Sequence, residues 1–221
     1  MNIRHGIVLV LLLMVSSCAQ LPKIQKADST SAVSSFQDCE SLFPQGRWQL
    51  FHTIEASMPG GRKSSLVGVT VLSSGDRSIR WALMTLEGFV LFSGHYDGDG
   101  LTVERAVGPF NQPGFAQGLM EDLQLLFFKP DAPLTETGVS RQGDRIYRYA
   151  SDDQTIDMTI KSKNRWDVRQ YNKSKRLVRS IEADGMVLIG ASRFARHLVL
   201  TNHHLIGYSL KLKLVDAVPL D

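Results

Sequence analysis

Histidine and serine side chains are the residues of this 221-residue chain that could carry catalytic chemistry. His203 and His204 are adjacent, but neighbouring residues of a regular strand face opposite sides, so the pair cannot grip one metal ion from such a strand. The stretch from Gly190 to Phe194 begins like the turn that presents a nucleophilic serine, here Ser192. It lacks the second glycine and lies among predicted antiparallel strands rather than between a strand and a helix. We therefore expect no enzyme, with a hydrolase that uses Ser192 as the alternative.

The sequence contains no HExxH, no CxxC and no glycine-rich phosphate loop, so we predict neither a metal site nor a cofactor. His52 and His95 are candidates for pocket residues. The alternative for both is an ordinary histidine, either hydrogen-bonded or exposed.

Cys18 follows a segment with the three parts of a secretory signal. Arg4 supplies positive charge, Ile7 to Val15 is an apolar run, and small residues precede the cysteine. Nine apolar residues span about 14 Å as a helix, far less than the ~30 Å hydrocarbon core of a bilayer. We predict a signal peptide over 1–17, not a transmembrane helix.

The stretch Leu13-Met14-Val15-Ser16-Ser17-Cys18 resembles a bacterial lipobox. The resemblance implies that the Cys18 thiol takes a diacylglycerol, that the leader is removed, and that the new amino terminus is acylated. Ala19 follows the cysteine where an aspartate would resemble an inner-membrane retention signal, which favours the outer membrane and its periplasmic face. The alternative is an ordinary signal peptide with an incidental cysteine. Cys39 is then a lone cysteine, and we expect a packed or surface residue there, with a reactive or intermolecular thiol as the alternative.

Composition indicates a globular protein, since 43% of the residues are hydrophobic and 21% are charged. The formal net charge is +3, and Arg4 lies in the predicted leader, which leaves about +2 for the mature chain. This charge is too weak to favour binding of nucleic acid.

The predicted mature chain begins with a polar, lipidated tether over 18–30, followed by one domain over 31–221. Apolar residues near helical spacing predict a short helix around Ser31 to Phe43. A second helix is predicted from Pro113 to Phe128, with Asn111 as its cap. We expect a loop from Pro130 to Gly143.

The rest of the domain alternates with the period of two that is typical of strands, and short turns separate the strands. Asp97-Gly98-Asp99-Gly100 is a strong hairpin signal, and Asp184-Gly185 is another predicted turn. The pattern predicts 11–12 antiparallel strands within 47–107 and 145–215. A run of this length must curl, close or split. We therefore predict a mainly β fold, a curled antiparallel half-barrel with a helical plug.

This element order resembles the LolA/LolB-type lipoprotein carriers of the periplasm, over roughly Arg47 to Val215. The resemblance implies an unclosed barrel, a helical lid and an apolar cavity for acyl chains. The ending Gly207-Tyr208-Ser209-Leu210 and the helix within Phe110 to Pro130 look more like a lipoprotein family that accompanies aryl-polyene or fatty-acid-like biosynthesis enzymes. Neither resemblance provides motif-level functional residues.

The predicted cavity wall consists of apolar residues from the first strands and from the plug. A solid core made of the same side chains is the alternative. The candidates are Trp48, Leu50, Ile54, Trp81, Leu83, Phe89, Leu91, Phe115, Leu119 and Leu123.

Eight cations crowd the predicted strands around one hairpin, with Asp167 as the acid among them. They are Lys161, Lys163, Arg165, Arg169, Lys173, Lys175, Arg176 and Arg179. Lysine often protects solvated strand edges; the alternative is contact of Lys173, Lys175 and Arg176 with an anionic membrane surface.

Two functions follow as expectations. The first is a membrane-anchored lipoprotein that binds or transfers a lipid or acyl chain, with a role in localising envelope lipids or polyene lipids. The second is an accessory envelope lipoprotein that docks another protein and holds no ligand.

Overall fold

The computed structural model describes residues 21–25, 42–204 and 207–220, which form one antiparallel sheet and one α-helix. A 3-10 turn lies at Pro59–Gly61. The helix, α1, is Phe115–Phe127. The strands are β1 (Arg47–Ser57), β2 (Lys63–Ser73), β3 (Ser78–Met84), β4 (Val90–Asp97), β5 (Gly100–Ala106), β6 (Leu134–Val139), β7 (Arg145–Ala150), β8 (Gln154–Ser162), β9 (Arg165–Asn172), β10 (Leu177–Ile189), β11 (Ser192–Asn202) and β12 (Ser209–Leu220).

The twelve strands form an open sheet in the order β5-β4-β3-β2-β1-β12-β11-β10-β9-β8-β7-β6. Short turns join most sequential neighbours, and β1 pairs with β12 to link the two halves. Helix α1 joins the two edge strands and touches both halves, since Phe115 packs against Phe92 of β4 while Asp122 binds Arg179 of β10. The sheet therefore curves around the helix, and the prediction of a half-barrel with a helical plug is confirmed.

Two local predictions were wrong. The segment Pro130 to Gly143 is not all loop, because β6 occupies Leu134–Val139. Its exposed residues from 135 to 137 are polar, so the strand has little apolar alternation to reveal it. Asp184-Gly185 is not a hairpin turn, because β10 runs through it. Gly185 takes a φ of 67° there, and pairing resumes between Met186 and Ala195.

Helix α1 begins two residues later than predicted. Gly114, rather than Asn111, is its N-cap, in a left-handed conformation with φ 77° that glycine adopts without strain. The helix ends at Phe127, and Phe128 is extended. Within the described ranges, no helix is both long enough and apolar enough to cross a bilayer.

Several predictions concern residues outside the described ranges: the signal peptide, Cys18, Cys39 and most of the helix at 31–43. At the end of that segment Leu42 and Phe43 are buried, and the Phe43 ring packs on Trp166. Residues 21–25, within the predicted tether, are docked rather than free. Gln25 forms an antiparallel bridge with Val139 of β6.

Candidate functional site: an apolar cavity under the helix

A cavity of about 320 Å³ lies between α1 and the concave face of β12, β1, β2 and β3. Its wall is almost entirely apolar. The sheet contributes chiefly Ile54, Ala56, Leu66, Trp81, Leu83, Leu210 and Leu212, and the helix contributes Phe115, Leu119, Leu123 and Leu126.

Strand alternation places these side chains on one face. In β1, His52, Ile54 and Ala56 are buried while the residues between them are exposed. Ile54 lies opposite Leu66 on one neighbouring strand and Leu212 on the other. Since side chains of directly opposed residues share a face, three strands present a continuous apolar wall.

Two glycines shape this wall in different ways. A Cβ at Gly68 would lie 2.7 Å from Cδ1 of Ile54, so the Ile54 side chain occupies the place of a side chain on β2. Gly118 lines the cavity from the middle of α1, and a Cβ there would meet no atom within 4 Å. Glycine in a helix interior costs about 1 kcal/mol relative to alanine. No packing contact requires that glycine, and its effect is to leave the cavity wider.

Exposure distinguishes the mouth of the cavity from its interior. Met58, Pro59 and Gly114 line the cavity and are exposed to solvent, so they mark its rim. Trp81 and Leu126 are 3% and 4% exposed and lie inside. The Trp81 Nε1 is buried without a hydrogen-bond partner among the described residues.

A polar cluster lies on the side of the cavity toward β10 and β12. The Arg179 guanidinium donates from Nε to Oδ1 of Asp122 at 2.8 Å and from Nη2 to Oε2 of Glu121 at 2.7 Å. Its Nη1 donates to Oε1 of Gln170 at 3.1 Å. The hydroxyl of Tyr208 donates to the other oxygen of Asp122. These bonds tie the middle of α1 to the sheet across the concavity.

Burial controls the protonation of this cluster. Desolvation raises the pKa of Asp122 to about 6, although Tyr208 and Arg179 oppose the shift. Burial also raises the pKa of Tyr208, with a further contribution from the Asp122 charge. Burial alone would lower the pKa of Arg179, but the two carboxylates outweigh it and raise that pKa.

His52 lines the cavity and is 3% exposed. Desolvation lowers its pKa to about 4, and its ring lies 5.7 Å from that of Phe127. His52 is therefore neutral at neutral pH and adds no charge to the wall.

Six of the ten predicted wall residues line the cavity: Ile54, Trp81, Leu83, Phe115, Leu119 and Leu123. Trp48, Leu50 and Leu91 do not; the first two are fully packed in the core, and Leu91 packs against it. Phe89 is not a wall residue either, because it precedes β4, is 55% exposed and lies under the Arg105 guanidinium.

The basic residues divide into two groups. Lys173, Lys175 and Arg176 are exposed in the turn between β9 and β10. Arg179 is 7% exposed and belongs to the cavity cluster, so it is not one of the solvated cations of that segment. The sequence signal missed here was Asp122, a lone carboxylate on the apolar stripe of α1.

The other candidate chemical groups have structural partners. The Ser192 hydroxyl donates to the Gln45 carbonyl at 3.0 Å. The ring of His203 bonds the Ser180 hydroxyl at 2.9 Å, and that of His95 bonds Glu104 at 3.2 Å. Across the described ranges, no group of three or more His, Cys, Asp or Glu side chains is placed to hold a metal ion.

An open antiparallel half-barrel with a helix across its concave face defines a LolA-like fold. The chain belongs to the family described as "Protein of unknown function (DUF3261)", whose model matches residues 49–216. A comparison with curated proteins finds no relative of this chain.

Three solved structures align with this chain, and the first of them shows the likeness in fold. A LolA superfamily protein from Nitrosomonas europaea is 12% identical with a TM-score of 0.58, over 86% of this chain and 94% of that one. A putative outer membrane lipoprotein-sorting protein domain from Vibrio parahaemolyticus is 14% identical with a TM-score of 0.49, over 83% and 89%. A DUF1329 family protein from Desulfovibrio piger is 12% identical with a TM-score of 0.49, over 89% and 96%.

Proposed function

We propose that this protein is a lipid-anchored, periplasm-facing lipoprotein that binds or transfers a single hydrophobic chain in the cavity under α1. The observation that carries the proposal is the apolar wall of that cavity, which is open at the rim formed by Met58, Pro59 and Gly114. Each methylene group that leaves water for such a wall contributes about 0.8 kcal/mol.

The size of the cavity favours a slender ligand. About 320 Å³ is at the lower end of the ~300–1,000 Å³ range of small-molecule sites. One acyl or polyene chain suits this space better than several chains side by side. Gly118 also supports a bound ligand, because glycine makes the helix less stable than alanine would and leaves open space at the wall.

Anchoring at Cys18 and location at the outer membrane are parts of the proposal that rest on the lipobox and on Ala19. Contact of the exposed turn that holds Lys173, Lys175 and Arg176 with anionic headgroups is a further part. Changing the three residues to glutamine is expected to lower binding to anionic vesicles at low salt. Equal binding by wild type and variant would contradict that contact.

The cavity is tested with two variants of one residue. Gly118→Phe projects a ring into the space and is expected to weaken binding of cis-parinaric acid, a fluorescent polyene fatty acid, by about tenfold or more. Gly118→Ala adds only one methyl group and is the matched control. We expect it to bind like the wild type and to be more stable by up to about 1 kcal/mol. Absence of binding by the wild type, or equal binding by Gly118→Phe, would refute the proposal.

Native mass spectrometry of the gently extracted protein addresses the natural ligand. A lipid bound in addition to the Cys18 anchor supports a carrier. A stoichiometric protein partner with no lipid would instead favour an accessory docking lipoprotein.

A further inference from the structure

Residues 21–25 are bound to the outer edge of the sheet, at strand β6. The amide of Gln25 donates to the Val139 carbonyl and the amide of Val139 donates to the Gln25 carbonyl, both at 2.9 Å. A Cβ at Gly138 would lie 2.1 Å from the Gln25 carbonyl oxygen, so the close approach depends on glycine. The segment thereby covers part of an edge strand that would otherwise expose unpaired backbone groups.

Arg148 holds the same segment at a second point. Its guanidinium is fixed by two bonds to Asp157, of 2.7 and 2.8 Å, and by one to Glu136 of 3.0 Å. From this position Nη2 donates to the Pro22 carbonyl at 2.9 Å. Asp157 is 1% exposed, so the group that binds Pro22 is anchored in the body of the protein.

We infer that the amino-terminal segment is a short tether that holds the β6 edge of the domain against the membrane. The inference rests on the proposed lipid anchor at Cys18. Four residue steps separate Cys18 from Pro22, which allows at most about 14 Å. The headgroup layer itself is about 5–8 Å thick, so Pro22 stays within roughly 10 Å of the membrane surface.

If residues 21–25 were not bound to β6, the domain could move much farther from the membrane. The next described residue of the body would then be Leu42, 24 residues beyond Cys18. A chain of that length has a maximal reach of about 80 Å. Docking therefore decides whether the domain lies at the surface or moves freely above it.

Gln25 offers a pair of variants that leave the sheet untouched. Gln25→Pro removes the amide that donates to Val139, whereas Gln25→Ala removes only the side chain and keeps the amide. In a soluble form that begins at Ala19, hydrogen exchange at the Val139 amide is expected to become faster in Gln25→Pro and to stay unchanged in Gln25→Ala. Unchanged exchange in Gln25→Pro would overturn the docking.

The orientation is tested with lipidated protein in vesicles that carry an acceptor dye on their headgroups. A donor dye is attached at Thr137→Cys of β6 or at Glu55→Cys of β1, each in a Cys39→Ser background. Thr137 and Glu55 are both exposed. β1 lies seven strands from β6, about 34 Å along the curved sheet. We expect stronger energy transfer from position 137, and we expect Gln25→Pro to reduce that difference while Gln25→Ala preserves it.

Mass spectrometry of Cys18 separates the two claims. An unlipidated Cys18 would overturn both the proposed lipid anchor and the proposed tether. If the protein is lipidated, equal energy transfer from both positions would overturn the tether alone. A difference that Gln25→Pro does not change would do the same. Binding of cis-parinaric acid is measured on the same samples and depends on neither result.

Discussion

The Arg179 Nε donates to Oδ1 of Asp122 across 57 residues of sequence, and this bond joins helix α1 to strand β10 on the wall of the cavity. Asp122 is fully buried and Arg179 is 7% exposed. A buried ion pair gives little net stability by itself, but removing one member leaves the other uncompensated. The pair is therefore expected to fix where the helix sits over the sheet.

Replacing Arg179 alone should be costly. Arg179→Leu leaves the Asp122 carboxyl with Tyr208 as its remaining donor of this cluster, and we expect a loss of about 3 kcal/mol in the free energy of unfolding measured with urea. Arg176→Leu, in the exposed β9–β10 turn, is the control and should change stability by less than about 0.5 kcal/mol. Adding Asp122→Leu to Arg179→Leu should recover part of the loss. If Arg179→Leu were as stable as the control Arg176→Leu, the Asp122–Arg179 pair would not position the helix.

Two buried groups on the cavity wall should have opposite effects on stability as pH falls. Burial lowers the pKa of His52 from 6.5 to about 4, so the unfolded chain binds the proton first and stability falls as pH drops through this window. Burial raises the pKa of Asp122 from 3.8 to about 6, so the folded protein binds the proton first and stability rises over nearly the same window. Each effect is worth about 3 kcal/mol at 1.36 kcal/mol per pH unit, and in the wild type they nearly cancel.

Single variants should reveal each contribution. His52→Gln is expected to become more stable as the pH falls from 6.5 to 4, and Asp122→Asn to become less stable, in urea unfolding at a series of pH values. Identical pH profiles for the two variants would mean that these groups do not titrate as their burial implies.

The fold was predictable because most strands carry their own signal. Alternation with period two and turns such as Asp97-Gly98-Asp99-Gly100 define hairpins locally, and consecutive hairpins leave few topologies. Strand β6 was not predicted, because its residues from 135 to 137 are polar and exposed. Its identity depends on pairing with β7 rather than on its own apolar pattern.

The site was only partly predictable. Alternation indicates which face of β1 is apolar, so Leu50 and Ile54 look alike in the sequence. In the folded protein the cavity under α1 borders Ile54, whereas Leu50 is packed in the core. The Asp122–Arg179 pair is a long-range contact, and Arg179 is hidden among seven other cations of one segment.

Gly94 of β4 is expected to tolerate no side chain. A Cβ there would lie 2.6 Å from the carbonyl oxygen of Thr102 on β5, at a register shift, and 3.4 Å from the Trp81 ring. The oxygen belongs to the backbone and cannot move aside easily, so Gly94→Ala should cost about 1–3 kcal/mol in thermal or urea unfolding. Gly98→Ala, in the β4–β5 turn with open space around its Cβ, is the control. A Gly94→Ala protein as stable as Gly98→Ala would refute this reading.

Arg148→Lys tests whether the contacts of Arg148 with Asp157 and Pro22 depend on the shape of the guanidinium. Arg148 gives two parallel bonds to Asp157, one to Glu136 and one to the Pro22 carbonyl. A lysine is a single point charge and cannot make the two-bond contact while also reaching Pro22. Since Asp157 is 1% exposed, the unmet oxygen stays buried, and we expect a loss of about 2 kcal/mol in the free energy of unfolding. Arg141→Lys in the exposed β6–β7 turn should be neutral. Unfolding of Arg148→Lys and Arg141→Lys at the same urea concentration would contradict this prediction. A positive charge at position 148 would then be sufficient, and the shape of the guanidinium would not explain how Pro22 is bound.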